Sequence, residues 1–302
     1  MPAVWIELLD PGEEELRAKA PRELEESALQ LLLRPPQHED EPRPTIQSHV
    51  DYVFAIFLAA EYSEEQREVF YSEVDVVITH EAILTVRKTP ERCPPFDISP
   101  VKQAVKPDDA PGMIAYRIVD EIAEQYLDLI DALDDKIDEL EDLVESQPAE
   151  QTRARISELR HGMLHIRRTL APMRDAIRRV VDDVVEVDEG EEVFPREVEI
   201  AFNGAYDKLL RCVDGLELTR DLLASVRDYS QAKIANDQNE VMKRLTVVAS
   251  LLLLPTLIVG LYGQTFDHMP ELHWWWGYYY SLGVIALSTL AQIVYFRWKR
   301  WT

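Results

Sequence analysis

The spacing of apolar residues divides the chain into three regimes. Residues 4–9, 50–60, 73–79 and 82–88 are short runs rich in Val, Ile, Phe and Tyr between turn or charge signals, which predicts strands. Segments 13–20 and 23–33 read as helices, with Glu13, Glu14 and Glu15 where the helix dipole favours acids. From Gly112 the period changes: Ile114, Ile118, Ile122, Tyr126, Leu129, Leu133, Ile137, Leu140 and Val144 recur every three or four residues, the apolar stripe of one long helix. After Gln147-Pro148 a second helix carries Ile156, Leu159, Met163, Ile166, Leu170 and Met173. The first is acidic on its other faces and the second rich in arginine, which predicts an antiparallel hairpin whose charges are either complementary across it or simply solvated. A third helix begins after Pro195 and meets no proline until Pro255, so it runs to Gly263, roughly 100 Å at about 1.5 Å per residue.

Two stretches stand out by having no charge at all. Residues 245–266, LTVVASLLLLPTLIVGLYGQTF, and 274–296, WWWGYYYSLGVIALSTLAQIVYF, contain no charge and are each long enough to cross a hydrocarbon layer about 30 Å thick. Lys243 and Arg244 precede the first, and Arg297, Lys299 and Arg300 follow the second, which puts both basic ends in the cytoplasm and the short loop outside. The expected fold is therefore an α+β cytoplasmic domain with long helices, continuing into a two-transmembrane-helix membrane domain. In order, these are an α/β domain over 1–110, a helical hairpin over 111–195, a stalk helix over 196–244, a first span over 245–266, an external loop over 267–273, a second span over 274–296 and a basic cytoplasmic tail over 297–302.

Composition sharpens this picture. The 302 residues hold 56 Asp and Glu against 32 Lys and Arg, a net charge of -24, which argues against nucleic acid and for cations as partners. Five of the basic residues and two of the acids lie after residue 240, so the body carries -27 and the membrane end +3. Cys93 and Cys212 form no metal or disulfide pattern, which fits a reducing compartment. No phosphate-binding glycine loop, G-x-S-x-G or H-E-x-x-H occurs, so no catalytic residues and no cofactor are assigned, and the chain is not read as an enzyme.

Candidate chemistry lies along one face of the third helix. Asn239, Met242, Leu245, Ala249, Leu253, Thr256, Gly260 and Gly263 recur every three or four residues and line up amide, thioether, aliphatic, hydroxyl and bare-backbone groups. Small and hydroxyl residues also mediate helix packing in membranes, so the stripe alone leaves packing face and pore lining both open. As a pore, its neutral polar groups would bond the water shell of an ion and its Met and Leu rings would close by dewetting.

The run Asn239-Glu240-Val241-Met242-Lys243-Arg244-Leu245-Thr246, then Gly260-Leu261-Tyr262-Gly263-Gln264-Thr265-Phe266, then Met269-Pro270-Glu271, resembles the membrane end of the CorA family of divalent cation transporters, which reads N-x-V-M-K-x-L-T, Y-G-M-N-F and M-P-E. The resemblance runs in order along the whole chain, from Trp5-Ile6-Glu7-Leu8 to the basic tail. It implies a funnel-shaped homopentamer in the cell (inner) membrane, with first spans around a pore for Mg²⁺ or related cations such as Co²⁺ and Ni²⁺, and second spans facing the lipid bilayer. Asn239, Met242 and Leu245 match pore-facing family positions, Gly263 matches the glycine of the Gly-Met-Asn filter, and Gln264 and Thr265 stand where its Met and Asn would. The exchange of Asn for Thr265 leaves selectivity open toward the related zinc branch. Where magnesium-gated members hold a regulatory aspartate, this chain has Gly204, with Asp207 a turn on as candidate regulatory metal ligand. In the loop, Asp267 and Glu271 are expected to concentrate cations, and His268 and His273 are candidate contacts for Zn²⁺, Co²⁺ or Ni²⁺. A membrane-tethered scaffold is the remaining alternative; it has no use for Asn239, Thr256 and two glycines on one face.

Overall fold

A computed structural model of the chain describes residues 3–36, 42–63, 68–185, 187, 192–264 and 274–301. They form β1 (Val4–Leu9), α1 (Glu13–Lys19), α2 (Glu26–Leu33), β2 (Thr45–Ser48), β3 (Val53–Ser63), β4 (Glu68–Ile78), β5 (Ala82–Arg87), α3 (Ser99–Ala104), α4 (Pro111–Ser146), α5 (Ala149–Val181), α6 (Arg196–Tyr262) and α7 (Gly277–Trp298). They group into two compact units, Met1–Arg227 and Asp228–Thr302, with α6 contributing to both.

In the first unit the strands are ordered β1-β5-β4-β3-β2, with β1 parallel to β5 and every other pair antiparallel. The two-residue period of a strand sends alternate side chains to opposite faces. Phe54 and Ile56 of β3, with Leu84 and Val86 of β5, pack on Leu16, Leu29 and Leu32 of α1 and α2. Val53, Ala55 and Phe57, with Ile83, belong to the core shared with α4 and α5. Because both faces are covered, residues 53–60 are buried without interruption, which is why the strand reads as a solid apolar run.

Three details differ from the sequence expectation. The strand expected at 73–79 begins at Glu68, because residues 68–72 complete the β3 register from Ser63 to Ala59. The run expected at 50–60 is offset to Val53–Ser63. Neither β2 nor α3 was anticipated: each is short, β2 lies just after the prolines at 42 and 44, and α3 has proline in its first turn.

The apolar stripe of α4 is buried throughout, from Ile114 to Val144. On α5, Leu159, Met163, Ile166, Leu170 and Met173 are buried, and on α6, Leu209, Leu216, Leu223 and Val226. The seam between α4 and α5 is apolar, with the Tyr126 hydroxyl donating to Thr169 Oγ1 at 3.1 Å. Charges on these helices pair locally, as Arg155 with Glu158 at 3.2 Å and Arg178 with Asp182 at 3.1 Å, or reach α6, where Lys208 Nζ lies 2.6 Å from both Asp120 and Glu124. The electrostatic partner of α4 given by these contacts is thus α6. Two glycines allow close approach: a Cβ at Gly112 would stand 2.5 Å from the Val193 carbonyl oxygen, and one at Gly215 would stand 3.2 Å from Ile130. Cys212 is buried at the α4 contact, its thiol 3.8 Å from the Ala123 oxygen, and burial pushes that thiol up to about 12.

A charged group is also buried in the sheet. Lys88 Nζ lies 2.5 Å from Glu73 and 2.9 Å from Asp75, and donates to the Leu31 carbonyl at the end of α2 at 2.7 Å. The three side chains are 3%, 5% and 0% exposed. Burial, and then the charge of Glu73, hold the Asp75 carboxyl well above the usual range.

Candidate functional site

The second unit contains the apolar parts of α6 and α7, both long and apolar enough to cross a membrane. In α6, Val247 is buried and Ser250, Leu251, Leu254 and Ile258 are half-buried. This is the side on which Gln292 of α7 donates its amide to the Ser250 carbonyl at 3.4 Å. At about 100° per residue, Ala249 lies about 200° around the helix from Val247, so the stripe containing Ala249 is turned away from α7.

Asn239, Met242, Leu245, Ala249, Leu253, Thr256, Gly260 and Gly263 are all exposed. Leu253, at 71%, is the most exposed leucine of α6, ahead of Leu252 at 66%. The structure thus brings the predicted stripe onto one face and leaves that face uncovered among the described residues. A helix with both a packed face and an opposite uncovered face needs either lipid or further protein there, and the polar members of the stripe suit lipid poorly.

Local backbone chemistry marks two levels on this face. Pro255 has no N–H, so the Leu251 carbonyl lacks its usual helical donor. One residue on, the Thr256 hydroxyl donates to the Leu252 carbonyl at 2.7 Å, leaving its oxygen lone pairs directed outward as acceptors. At the end of α6, Gly263 donates to Val259 at 2.9 Å and Gln264 to Leu261 at 3.3 Å. This is a helix C-terminus, the negative end of the dipole, where the last carbonyls run out of intrahelical donors. It favours a cation. A Cβ at Gly263 would stand 3.2 Å from the Val259 oxygen, while one at Gly260 meets nothing within 4 Å, so Gly263 is the tighter of the two.

Gln264 is exposed beside Gly263. Thr265, Asp267, His268, Glu271 and His273 lie outside the described residues. Asp207 is exposed on α6, its carbonyl accepting from Arg211 Nε at 3.4 Å, and Gly204 has open space around it. Among the described residues no group of three His, Cys, Asp or Glu side chains is arranged to hold a metal ion. Asp207 thus belongs to no such group among the described residues. Sequence reasoning passed over Gln292, although a lone amide in an otherwise apolar span was a usable signal, since polar groups are costly there. Its Oε1 is buried with no hydrogen-bond partner among the described residues.

A mixed sheet between helices, a helix that leaves that unit to enter an apolar pair, and a neutral polar stripe turned away from the second span define a two-span membrane transport protein. The chain belongs to the CorA-like Mg²⁺ transporter family, whose model matches residues 3–300. It is 29% identical over 265 residues to the cobalt/magnesium transport protein CorA of Thermotoga maritima, covering 86% of this chain and 73% of that one. The fold is similar to the complete CorA magnesium transporter of Methanocaldococcus jannaschii, with a TM-score of 0.76 at 21% identity over 97% of this chain and 89% of that one. It is also similar to the ZntB cytoplasmic domain of Vibrio parahaemolyticus, with a TM-score of 0.59 at 17% identity over 78% and 89%.

Proposed function

We propose that the chain is one subunit of a homopentameric, channel-like transporter that admits Mg²⁺, and related cations such as Co²⁺ and Ni²⁺, to the cytoplasm down the electrochemical gradient. The observation that carries this reading is the stripe of α6 from Asn239 to Gly263, uncovered among the described residues, opposite the α7 contact and ending at the helix C-terminus. Copies arranged around an axis turn these stripes toward one another and leave α7 to lipid. Magnesium and cobalt transport by the Thermotoga relative supports the choice of ion.

The residues then divide the work. Gly263, Gln264 and Thr265 form the entrance, where backbone carbonyls and neutral side chains contact the hydration shell of an ion that loses water reluctantly. Thr256 offers a second ring of hydroxyl oxygens. Leu253, Leu245 and Met242 are the apolar constrictions, and Asn239 is the polar ring at the cytoplasmic exit. Asp267 and Glu271 concentrate cations outside, and Asp207 serves as a regulatory ligand together with carboxylates from another copy. The basic residues Lys243 and Arg244, with Arg297, Lys299 and Arg300, support a cytoplasmic first unit and cytoplasmic termini in a cell-membrane protein. The membrane potential supplies about 4.6 kcal/mol per 100 mV for a divalent ion, so no resident cofactor is needed.

Uptake of Mg²⁺, Co²⁺, Ni²⁺ and Zn²⁺ into liposomes containing the purified chain tests this. Mg²⁺ entry lowered by Gly263→Ala is expected. Entry of Zn²⁺ alone favours the zinc reading suggested by Gln264-Thr265, and entry of none leaves only a membrane-tethered scaffold.

A further inference from the structure

We propose that the acidic face of α4 in one copy docks into the arginine-lined groove between α5 and α6 of the next copy. This rests on the ring assembly proposed above and specifies what holds neighbouring copies together below the membrane.

Two ladders of equal pitch carry the inference. On α4, Asp128, Asp135 and Asp142 recur every seven residues, with Asp131, Asp138 and Glu145 interleaved at the same interval, and all six are exposed. On α5, Arg153, Arg160, Arg167 and Arg174 also recur every seven residues, and Arg220 and Arg227 repeat the interval on α6. Seven residues advance about 10.5 Å along a helix, so acids and arginines set side by side stay in step over several turns.

The groove is a cavity of about 430 Å³ lined by α5 and α6 alone. Its floor includes Met163, Leu170, Leu216 and Leu223, with Leu164 47% exposed at its side. Five arginines line it against the acids Glu217 and Asp221, a local excess of positive charge in a chain of net charge -24. Arg167 approaches Glu217 at 3.8 Å and Arg220 approaches Asp221 at 3.3 Å, with all four side chains more than half exposed. Such solvated pairs hold little energy and yield to a desolvated partner.

Geometry within one unit decides which partner. Helix α4 packs on the other side of α5 and α6, through Tyr126 to Thr169 and Cys212 to Ala123. Its acidic face therefore looks away from the groove and cannot enter the groove of its own chain. The face and the groove lie at the same level, since Ile130 touches Gly215 and Tyr126 touches Thr169. Two different surfaces that complement each other make a head-to-tail contact, which generates a ring when the rotation closes.

Carbodiimide cross-linking of the full chain in detergent tests the docking, with Arg160→Lys/Arg167→Lys supplying amines to the groove without changing its charge. Expected are covalent multimers on denaturing gels, with isopeptide links from positions 160 and 167 to residues 128–145. An assembly of undiminished native mass, whose links from these positions stay on Glu217 or go elsewhere, overturns the docking while leaving the ring. A monomeric native mass of the unsubstituted chain overturns the ring reading itself, and the docking with it. As a second arm, Arg160→Glu/Arg167→Glu is expected to lower native oligomer content, with Asp131→Arg/Asp138→Arg in the same chain restoring it. Oligomer content unchanged by the first pair overturns the docking, and a loss that the second pair leaves unrestored does so too.

Discussion

Replacing Lys88 by Met tests how the sheet tolerates its buried charges. The substitution removes an ammonium that contacts Glu73 at 2.5 Å, Asp75 at 2.9 Å and the Leu31 carbonyl at 2.7 Å, and leaves two carboxyls facing each other at 5% and 0% exposure. Breaking a buried ion pair from one side costs about 3–5 kcal/mol. For a chain of this size that corresponds to a fall in melting temperature of roughly 10 °C. The sign of its pH dependence follows from Asp75, whose carboxyl is raised by burial and by Glu73. A carboxyl raised in the folded state contributes stability that is fully present below its unfolded value near 3.8 and is lost as pH rises through the folded value. The Lys88 ammonium is what offsets part of that rise, so without it the Asp75 carboxyl goes higher still and the variant loses stability with rising pH over a wider range than the parent, at up to about 1.4 kcal/mol per pH unit. Thermal unfolding of the full chain in detergent at pH 5 and pH 8 reads this as a larger deficit at pH 8. An equal deficit at both values, or none, refutes the reasoning. Glu73→Gln/Asp75→Asn/Lys88→Met together is expected to recover most of the loss, since a buried charged cluster is often replaced by neutral groups at little cost.

Other expectations follow from single contacts. Gly112→Ala places a Cβ 2.5 Å from the Val193 oxygen and should cost about 1–3 kcal/mol in thermal unfolding, whereas Gly204→Ala, which meets open space, should cost nothing of the kind. Gln292→Leu removes the amide bond to the Ser250 carbonyl and should lower stability in detergent by about 0.6 kcal/mol, with Gln292→Asn intermediate. A maleimide should label Cys93, which is half-buried, and spare Cys212 until the chain unfolds, because burial holds the Cys212 thiol up to about 12; two labels per native chain, counted by mass, would contradict the packing of α4 on α6.

The long helices and both spans were legible because a period of 3.6, or a charge-free run of more than twenty residues, repeats one signal many times. Ile114 to Val144 is the clearest case. The sheet order was not legible: pairing of β1 with β5, across nearly eighty residues, has no local signature. For the same reason Glu73, Asp75 and Lys88 read as ordinary charges until the fold buries them together. The acidic and basic helices invited direct pairing, but both must turn apolar stripes inward to make a core, and this sends their charged faces outward. In the candidate site, the stripe from Asn239 to Gly263 was readable from helical spacing, whereas its orientation opposite Gln292 required the position of α7.

Potential-driven accumulation of Mg²⁺ in liposomes addresses the central claim most directly. With an imposed potential of about 60 mV, negative inside, a passive path for a divalent ion brings internal free Mg²⁺ to about a hundredfold above external, since each charge gains about 2.3 kcal/mol per 100 mV. The account predicts that this ratio is approached without ATP, collapses when the potential is dissipated and is reached far more slowly with Gly263→Ala. Internal Mg²⁺ that follows neither the sign nor the size of the potential would contradict it.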